Sequence, residues 1–325
     1  MNADQLRVGF VGCGGVARGH HAPAFDSLEG VSILAACDLD IERAKALAQP
    51  YGARCYDHVD QMLAAEQLDV VDVVTNERDR LEPLKACLEA GVNVFCEKPL
   101  AGRRGQFAVR HDDVDAAKAV IDAWKAAGTS FGINFNYRTS PPAVKIKDAI
   151  DDGTMGELVA VNIRAHLACW SHVIDLMRWF CGDVVELSGY VAGPEQSADR
   201  AATLRFARGA VGTLMGSTQL GWHHELLRIE VIGKQCRAVM TDLCGRAEFF
   251  PANVREVRTW QLPLDNWRGD FGQTFKDSIV NYAKAVMAGR QPPVTGTDAI
   301  RELEIDAGIF VSAQTGQPFK PELYG

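Results

Sequence analysis

The sequence predicts an α/β protein: a doubly wound parallel sheet of the Rossmann type, followed by an α+β unit with a mixed or antiparallel sheet. Three observations carry this. The apolar strand Leu6-Arg7-Val8-Gly9-Phe10-Val11 breaks into Gly12-x-Gly14-x-x-Ala17 and then resumes at helical spacing. Short apolar strands then alternate with amphipathic helices as far as Cys96, which implies parallel strands joined by crossovers. From Val184 onward, strands follow one another with only turns between them, so their sheet must be antiparallel or mixed.

The glycine stretch is the signature of a dinucleotide site. Gly12 permits the tight turn, Gly14 has no Cβ to hold the backbone away from a pyrophosphate, and Ala17 lets the helix pack close on the strand. The backbone of Gly12, Cys13, Gly14, Gly15, Val16 and Ala17 is then the phosphate cradle, at a helix N-terminus whose unpaired N–H groups favour negative charge. The second strand, Val31 to Cys37, ends in Asp38, where an acidic residue would hold the ribose 2′-OH. The competing reading of Asp38 is a cap on the helix from Ile41. A carboxylate here with no Arg directly after it favours NAD over NADP.

In order, Ile41 to Gln49 reads as helix, Ala53 to Tyr56 as strand, Val59 to Ala65 as helix and Asp69 to Val74 as a β-branched buried strand. Leu81 to Ala90 is a helix stopped by Gly91, and Val92 to Cys96 the next strand. In such sheets ligands collect at the carboxyl ends of the strands, which singles out Thr75 and Asn76 after one strand and Glu97 and Lys98 after another. Lys98, backed by Pro99, is expected to point into the cleft where a nicotinamide would lie; a surface lysine ending a strand is the plainer alternative.

Composition narrows the classes. With 47% hydrophobic and 23% charged residues, 325 residues suffice for two domains. No apolar run approaches the roughly 20 residues of a membrane span, and Met1 to Gln5 carry neither a basic nor an apolar leader region, so a cytoplasmic location is expected. Nine scattered cysteines without a C-x-x-C pair read as reduced thiols, and no metal spacing is present. The adjacent His223 and His224 would face opposite sides of a strand and are not read as a metal pair. A net charge of −8 argues against nucleic acid as the main partner and leaves a small molecule. There are no repeats and no low-complexity tract.

Gly12-x-Gly14-x-x-Ala17, the run Ala90-Gly91-Val92-Asn93-Val94 leading to Glu97-Lys98-Pro99-Leu100, and His172-x-x-Asp175-Leu176 together resemble the Gfo/Idh/MocA oxidoreductases across essentially the whole chain. The resemblance implies an N-terminal Rossmann domain, a C-terminal domain with a large open sheet, and NAD(P)-dependent oxidation or reduction of sugars, cyclitols or similar polyols. His172 stands where that family's acid/base histidine stands, and an imidazole suits proton exchange with an alcohol. Asp175, three residues on, either orients His172 or pairs with Arg178 or Arg164.

Two stretches depart from the family pattern. Ala101 to Asp113 is longer than the usual link; it is either a solvated loop or a source of pocket arginines, with Arg103, Arg104 or Arg110 pairing with an acidic substrate group. Ahead of His172, the family's aspartate is replaced by Ala168. Phe131 to Arg138 reads as the last Rossmann strand and the crossing point, with Asn134, Asn136 and Tyr137 as polar groups at its end; Asn136 and Tyr137 are candidate substrate contacts. The domain boundary is placed there, giving 1–138 for the dinucleotide and 139–325 for substrate and oligomerisation.

Helix from Pro141 to Ile150, strand from Glu157 to Leu167, and strands at Val184 to Ala192, Ala201 to Ala207, Ala210 to Gln219, Leu226 to Ile232, Cys236 to Thr241, Ala247 to Phe250 and Val254 to Gln261 follow, closed by helices Phe271 to Ala288 and Thr297 to Ala313. One face of so wide a sheet must be covered. In the resembled family another subunit covers it, so a homodimer or homotetramer is expected. Two rival functions stay open at this point: an enzyme that recycles bound NAD during elimination or hydrolysis of a glycoside, which the absence of the aspartate allows, and a nucleotide-responsive regulator without turnover.

Overall fold

The computed structural model describes residues 5–221, 225–262 and 267–325; His223 and His224 lie outside the described residues. The N-terminal strands are β1 (Leu6–Val11), β2 (Val31–Cys37), β3 (Arg54–Tyr56), β4 (Val70–Val73), β5 (Asn93–Cys96) and β6 (Phe131–Ile133). All pair in parallel in the order β3-β2-β1-β4-β5-β6. β4 is buried at every position, as a central strand covered on both faces must be. Register aligns the strand ends: Val11 lies opposite Cys37 and Val73, Val73 opposite Cys96, and Cys96 opposite Ile133. Gly12, Asp38, Thr75, Glu97, Lys98 and Asn134 therefore emerge at one edge.

The crossover helices are α1 (Ala22–Asp26), preceded by a wide helical turn Ala17–His21, then α2 (Ile41–Ala48), α3 (Val59–Ala65), α4 (Leu81–Glu89) and α5 (His111–Ala127). Helix α2 starts at Asp40, whose side chain accepts from the Glu42 N–H. The last Rossmann strand is shorter than the apolar pattern predicts, because the chain turns at Asn136–Thr139 before α6 (Pro141–Asp151).

The second sheet has eight strands: β7 (Leu158–His166), β8 (Val184–Ala192), β9 (Asp199–Phe206), β10 (Val211–Ser217), β11 (Leu227–Gly233), β12 (Cys236–Thr241), β13 (Arg246–Pro251) and β14 (Arg258–Gln261), in the order β14-β13-β12-β11-β7-β10-β9-β8. It is mixed: β10 runs parallel to β7 and the remaining pairs are antiparallel. The expected strand from Val254 begins only at Arg258, since Val254 and Val257 are both exposed and have no face to bury. Helix α7 (Trp170–Cys181) follows β7 directly and is buried at nearly every position, packing between the sheet and the rest of the chain.

The last two helices, α8 (Trp267–Met287) and α9 (Gly296–Thr315), return to the first sheet. Ile279, Tyr282 and Ala283 of α8 share a core with Phe10 and Phe25. Helix α9 is buried on two sides. Ala299, Ile300 and Leu303 pack with Val114, Ala117 and Ile121 of α5, while Ile305 and Ile309 face the second sheet. Gly189 of β8 leaves room for this, since a Cβ there would sit 2.5 Å from the Ile309 carbonyl oxygen. No helix among the described residues is long and apolar enough to cross a membrane.

Candidate active site

Gly12 has φ +87°, and a Cβ on it would lie 2.7 Å from the Thr75 backbone nitrogen. Only glycine fits a left-handed turn pressed against the next strand end. Gly14 and Gly15 differ: nothing lies within 4 Å of where their Cβ atoms would stand, so the backbone there faces open space. Cys13 and Ala17 are fully buried beneath, while Val16 is exposed. The Asp38 carboxylate accepts the Cys13 N–H at 2.8 Å and the Asp40 N–H at 2.9 Å. Capping of α2 falls to Asp40, so Asp38 is held at the glycine turn and is not the helix cap. Thr75 adds a buried hydroxyl with no hydrogen-bond partner among the described residues. An open glycine cradle, an acid at the second strand end and an unspent hydroxyl beside them fit a dinucleotide.

Behind this edge lies a constellation absent from the sequence reading. His21, fully buried, lies with Nδ1 2.7 Å from Asp72 Oδ2 and Nε2 3.0 Å from Glu97 Oε1. Burial alone would depress this imidazole, but Asp72 and then Glu97 outweigh it and raise it to about 10. Burial likewise opposes ionisation of Glu97, yet His21, Lys98 and the Asn134 amide hold its carboxyl at about 2. Asn134 Nδ2 donates to Glu97 Oε1 at 2.6 Å, and the other carboxylate oxygen accepts the Lys98 backbone N–H at 3.1 Å. Lys98 therefore leaves a fixed turn. From below, the buried Arg80 donates to the carbonyls of Pro99 and Thr75 and ties two strand-end loops together. The legible signal was Asp72, a charged residue inside a buried β-branched strand, which requires a partner.

His172 lies on α7 and is buried, its ring stacked on Tyr137 with centroids 3.9 Å apart and planes 6° from parallel. Its Nδ1 has no hydrogen-bond partner among the described residues. Burial, reinforced by the Lys98 charge, pushes the imidazole well below its usual value. The ring is accordingly neutral at physiological pH and able to accept a proton. Lys98 Nζ donates to Gln106 Oε1 at 3.1 Å.

Several expected site residues are engaged elsewhere. Asp175 binds Arg138 through both oxygens, at 2.8 and 2.5 Å, so it neither orients His172 nor pairs with Arg178 or Arg164; Arg138 approaches from the turn before α6, a contact no spacing on α7 reveals. Arg138 goes on to Asp298, which Arg178 also contacts. The Tyr137 hydroxyl donates to Cys169 Sγ at 3.3 Å, leaving its ring face to His172, and Asn136 Nδ2 donates to Thr274. Arg104 makes a bidentate surface pair with Asp112, Arg103 is exposed, and Arg110 lies over the Phe310 ring at 3.5 Å. The loop thus sends Gln106 to Lys98 where an arginine was expected. Asn76 is exposed and closes its own turn by accepting the Arg78 N–H. Ala168 lies in the turn Leu167–Cys169. Among the described residues no group of three His, Cys, Asp or Glu side chains could hold a metal ion.

Comparison with known proteins agrees with this geometry. The model of the oxidoreductase family with an NAD-binding Rossmann fold (Gfo/Idh/MocA) matches residues 6–135, and that of the Gfo/Idh/MocA C-terminal domain matches residues 164–239. D-apiose dehydrogenase of Paraburkholderia graminis is 24% identical, over 96% of this chain and 89% of its own length. Inositol 2-dehydrogenase of Rubrobacter xylanophilus is 24% identical over 99% and 94%. Among solved structures, levoglucosan dehydrogenase with NADH and levoglucosan superposes with a TM-score of 0.84 at 20% identity, covering 98% of this chain and 100% of that one. An oxidoreductase from Agrobacterium radiobacter with NAD+, L-tartaric acid and magnesium gives 0.83 at 19% identity, covering 97% and 98%.

Proposed function

Because this chain belongs to the Gfo/Idh/MocA oxidoreductase family, whose first domain is an NAD-binding Rossmann fold, we propose that it is an NAD-dependent dehydrogenase acting on a hydroxyl of a sugar, cyclitol or related hydroxy acid. The observation that carries the reading is the nearness of Lys98, its backbone held by the Glu97 carboxylate, to His172, whose imidazole burial and then the Lys98 charge hold well below the usual value. Support for the substrate class comes from relatives named for apiose and inositol.

In this reading the backbone from Gly12 to Ala17 holds the pyrophosphate, Asp38 the ribose hydroxyls, and Thr75, Asn76 and Glu97 border the nicotinamide side. NAD, when bound, supplies the hydride acceptor. The neutral His172 imidazole takes the hydroxyl proton of the substrate, and Lys98 Nζ donates to the same oxygen as negative charge builds on it. A cation is effective beside so apolar a setting: the buried rings of Tyr137 and Phe135 lie 3.9 and 6.1 Å, centroid to centroid, from the His172 imidazole. Tyr137 fixes the plane of His172. Asp175 acts at a distance, by anchoring α7 through Arg138.

The division into 1–138 and 139–325 follows this split of labour, with α8 and α9 returning to brace the first unit. We further propose a homo-oligomer built on the open face of the second sheet. Tyr190, Val211 and Met215 are exposed there, at 74, 54 and 50%. Nine unpaired thiols suit the cytoplasm.

The test is nicotinamide absorbance with NAD and then NADP over sugars, cyclitols, sugar acids and sugar phosphates. Wild-type turnover with NAD should fall by roughly 10²- to 10⁴-fold in Lys98→Ala and in His172→Ala, with NAD affinity nearly unchanged. Binding of NAD without turnover anywhere on the panel refutes the dehydrogenase and favours cofactor recycling or regulation.

A further inference from the structure

The loop between Leu100 and α5 is anchored at three points around one side chain. On its near side the Arg103 N–H donates to Asp113 Oδ1 at 2.9 Å. In the middle, the Gln106 N–H donates to Glu77 Oε1 at 2.8 Å, tying the loop to the segment after β4. On the far side the Phe107 carbonyl accepts from Arg200 Nη2 at 2.5 Å. Arg200 is itself buried and paired with Asp306 at 2.8 Å, and Asp306 also accepts the Trp170 Nε1–H at 2.8 Å, two residues before His172. One buried Asp306–Arg200 pair thus braces both the loop that reaches Lys98 and the helix that carries His172.

What this bracing delivers is the Gln106 amide. An ammonium has only donors, so the Gln106 atom 3.1 Å from Lys98 Nζ is the carbonyl oxygen, and the NH₂ group must point away from Lys98. Its two donors have no partner among the described residues. Two of the loop's three arginines are turned elsewhere, Arg104 to Asp112 and Arg110 to Phe310 and Glu195, and Arg103 is exposed. Beside Lys98 the Gln106 amide therefore offers a neutral donor, suited to a hydroxyl.

We infer that Gln106 is a specificity residue: with its carbonyl oriented by Lys98, its amide NH₂ donates to the hydroxyl on the carbon next to the reacting one, selecting neutral polyols with adjacent hydroxyls over acidic substrates. This rests on the dehydrogenase reading above and names its substrate class. A site built to hydrogen-bond a substrate hydroxyl discriminates against the analogue that lacks it.

The experiment compares wild type and Gln106→Ala on the best polyol of the panel and its monodeoxy analogues. It reads turnover with NAD, together with calorimetric binding of each compound to the NADH complex. Wild type should lose roughly tenfold in kcat/KM and in affinity for the one analogue lacking the contacted hydroxyl. Gln106→Ala should lose about as much on the full polyol and nothing further on that analogue, with melting temperature and NADH affinity unchanged. Gln106→Glu should weaken binding of a sugar acid more than that of the polyol. An equal loss on every analogue would mean a structural loop residue, and no loss on any would mean a bystander; either overturns the inference. A wild type that neither binds nor turns over any polyol fails one step earlier, at the dehydrogenase reading, and takes the inference with it.

Discussion

Replacing His21 by Gln removes the one group among the described residues that touches both buried carboxylates of the Asp72–His21–Glu97 constellation, and the loss can be worked from the structure. The imidazole ionises near 6.5 when unfolded and near 10 when folded. At about 1.4 kcal/mol per pH unit, that interval is worth about 5 kcal/mol. Breaking a buried ion pair by deleting one partner costs about 3–5 kcal/mol, in the same range. For a chain of this size that is a fall of on the order of 10 °C in melting temperature. The sign with pH is fixed as well. A raised folded value gives stability that is fully present below about 6.5 and lost as pH rises through about 10. Between about pH 8 and 9.5 the wild type should therefore lose stability with a slope of about −1.4 kcal/mol per pH unit from His21, over and above other groups. Urea unfolding at several pH values in that window, for wild type and His21→Gln, measures it. Equal slopes, or a destabilisation below about 1 kcal/mol, would show that His21 is not the cation between the two carboxylates.

Three other outcomes follow from the same geometry. Asp38→Ala should weaken NAD by roughly ten- to a hundredfold while leaving NADP nearly unchanged, because the carboxylate that favours the free ribose hydroxyl is gone; titration with both cofactors checks it. Gly12→Ala should destabilise the protein by at least about 2 kcal/mol and abolish NAD binding, since its φ is +87° and its Cβ would meet backbone at 2.7 Å, whereas Gly15→Ala should fold normally; melting curves separate the two. Asp175→Asn, which removes one of the two carboxylates that hold Arg138 and leaves Asp298, should cost up to about 3 kcal/mol and lower kcat, while the acid limb of the kcat/KM profile stays where His172 sets it, well below 6.5; an unchanged kcat would dissociate α7 anchoring from catalysis.

The sequence by itself determined what contiguous spacing encodes. The glycine turn, the alternation that makes β1 to β5 parallel, and the emergence of Asp38, Thr75, Glu97 and Lys98 at strand ends are local patterns of hydrophobic period and turn chemistry, legible one segment at a time. Helix α7 with His172, and the unbroken run of strands behind it, were legible for the same reason. What only the tertiary structure decided are the partners. His21 meets Asp72 and Glu97 from 51 and 76 residues away, Arg138 takes Asp175 across 37, and Arg200 reaches Asp306 across 106. The loop after Leu100 presents Gln106 where arginines were expected, because Asp112 and Phe310 claim two of the arginines first. A buried charge must find an opposite charge or donor, but which one it finds depends on how helices and loops pack, and no periodicity along the chain records that.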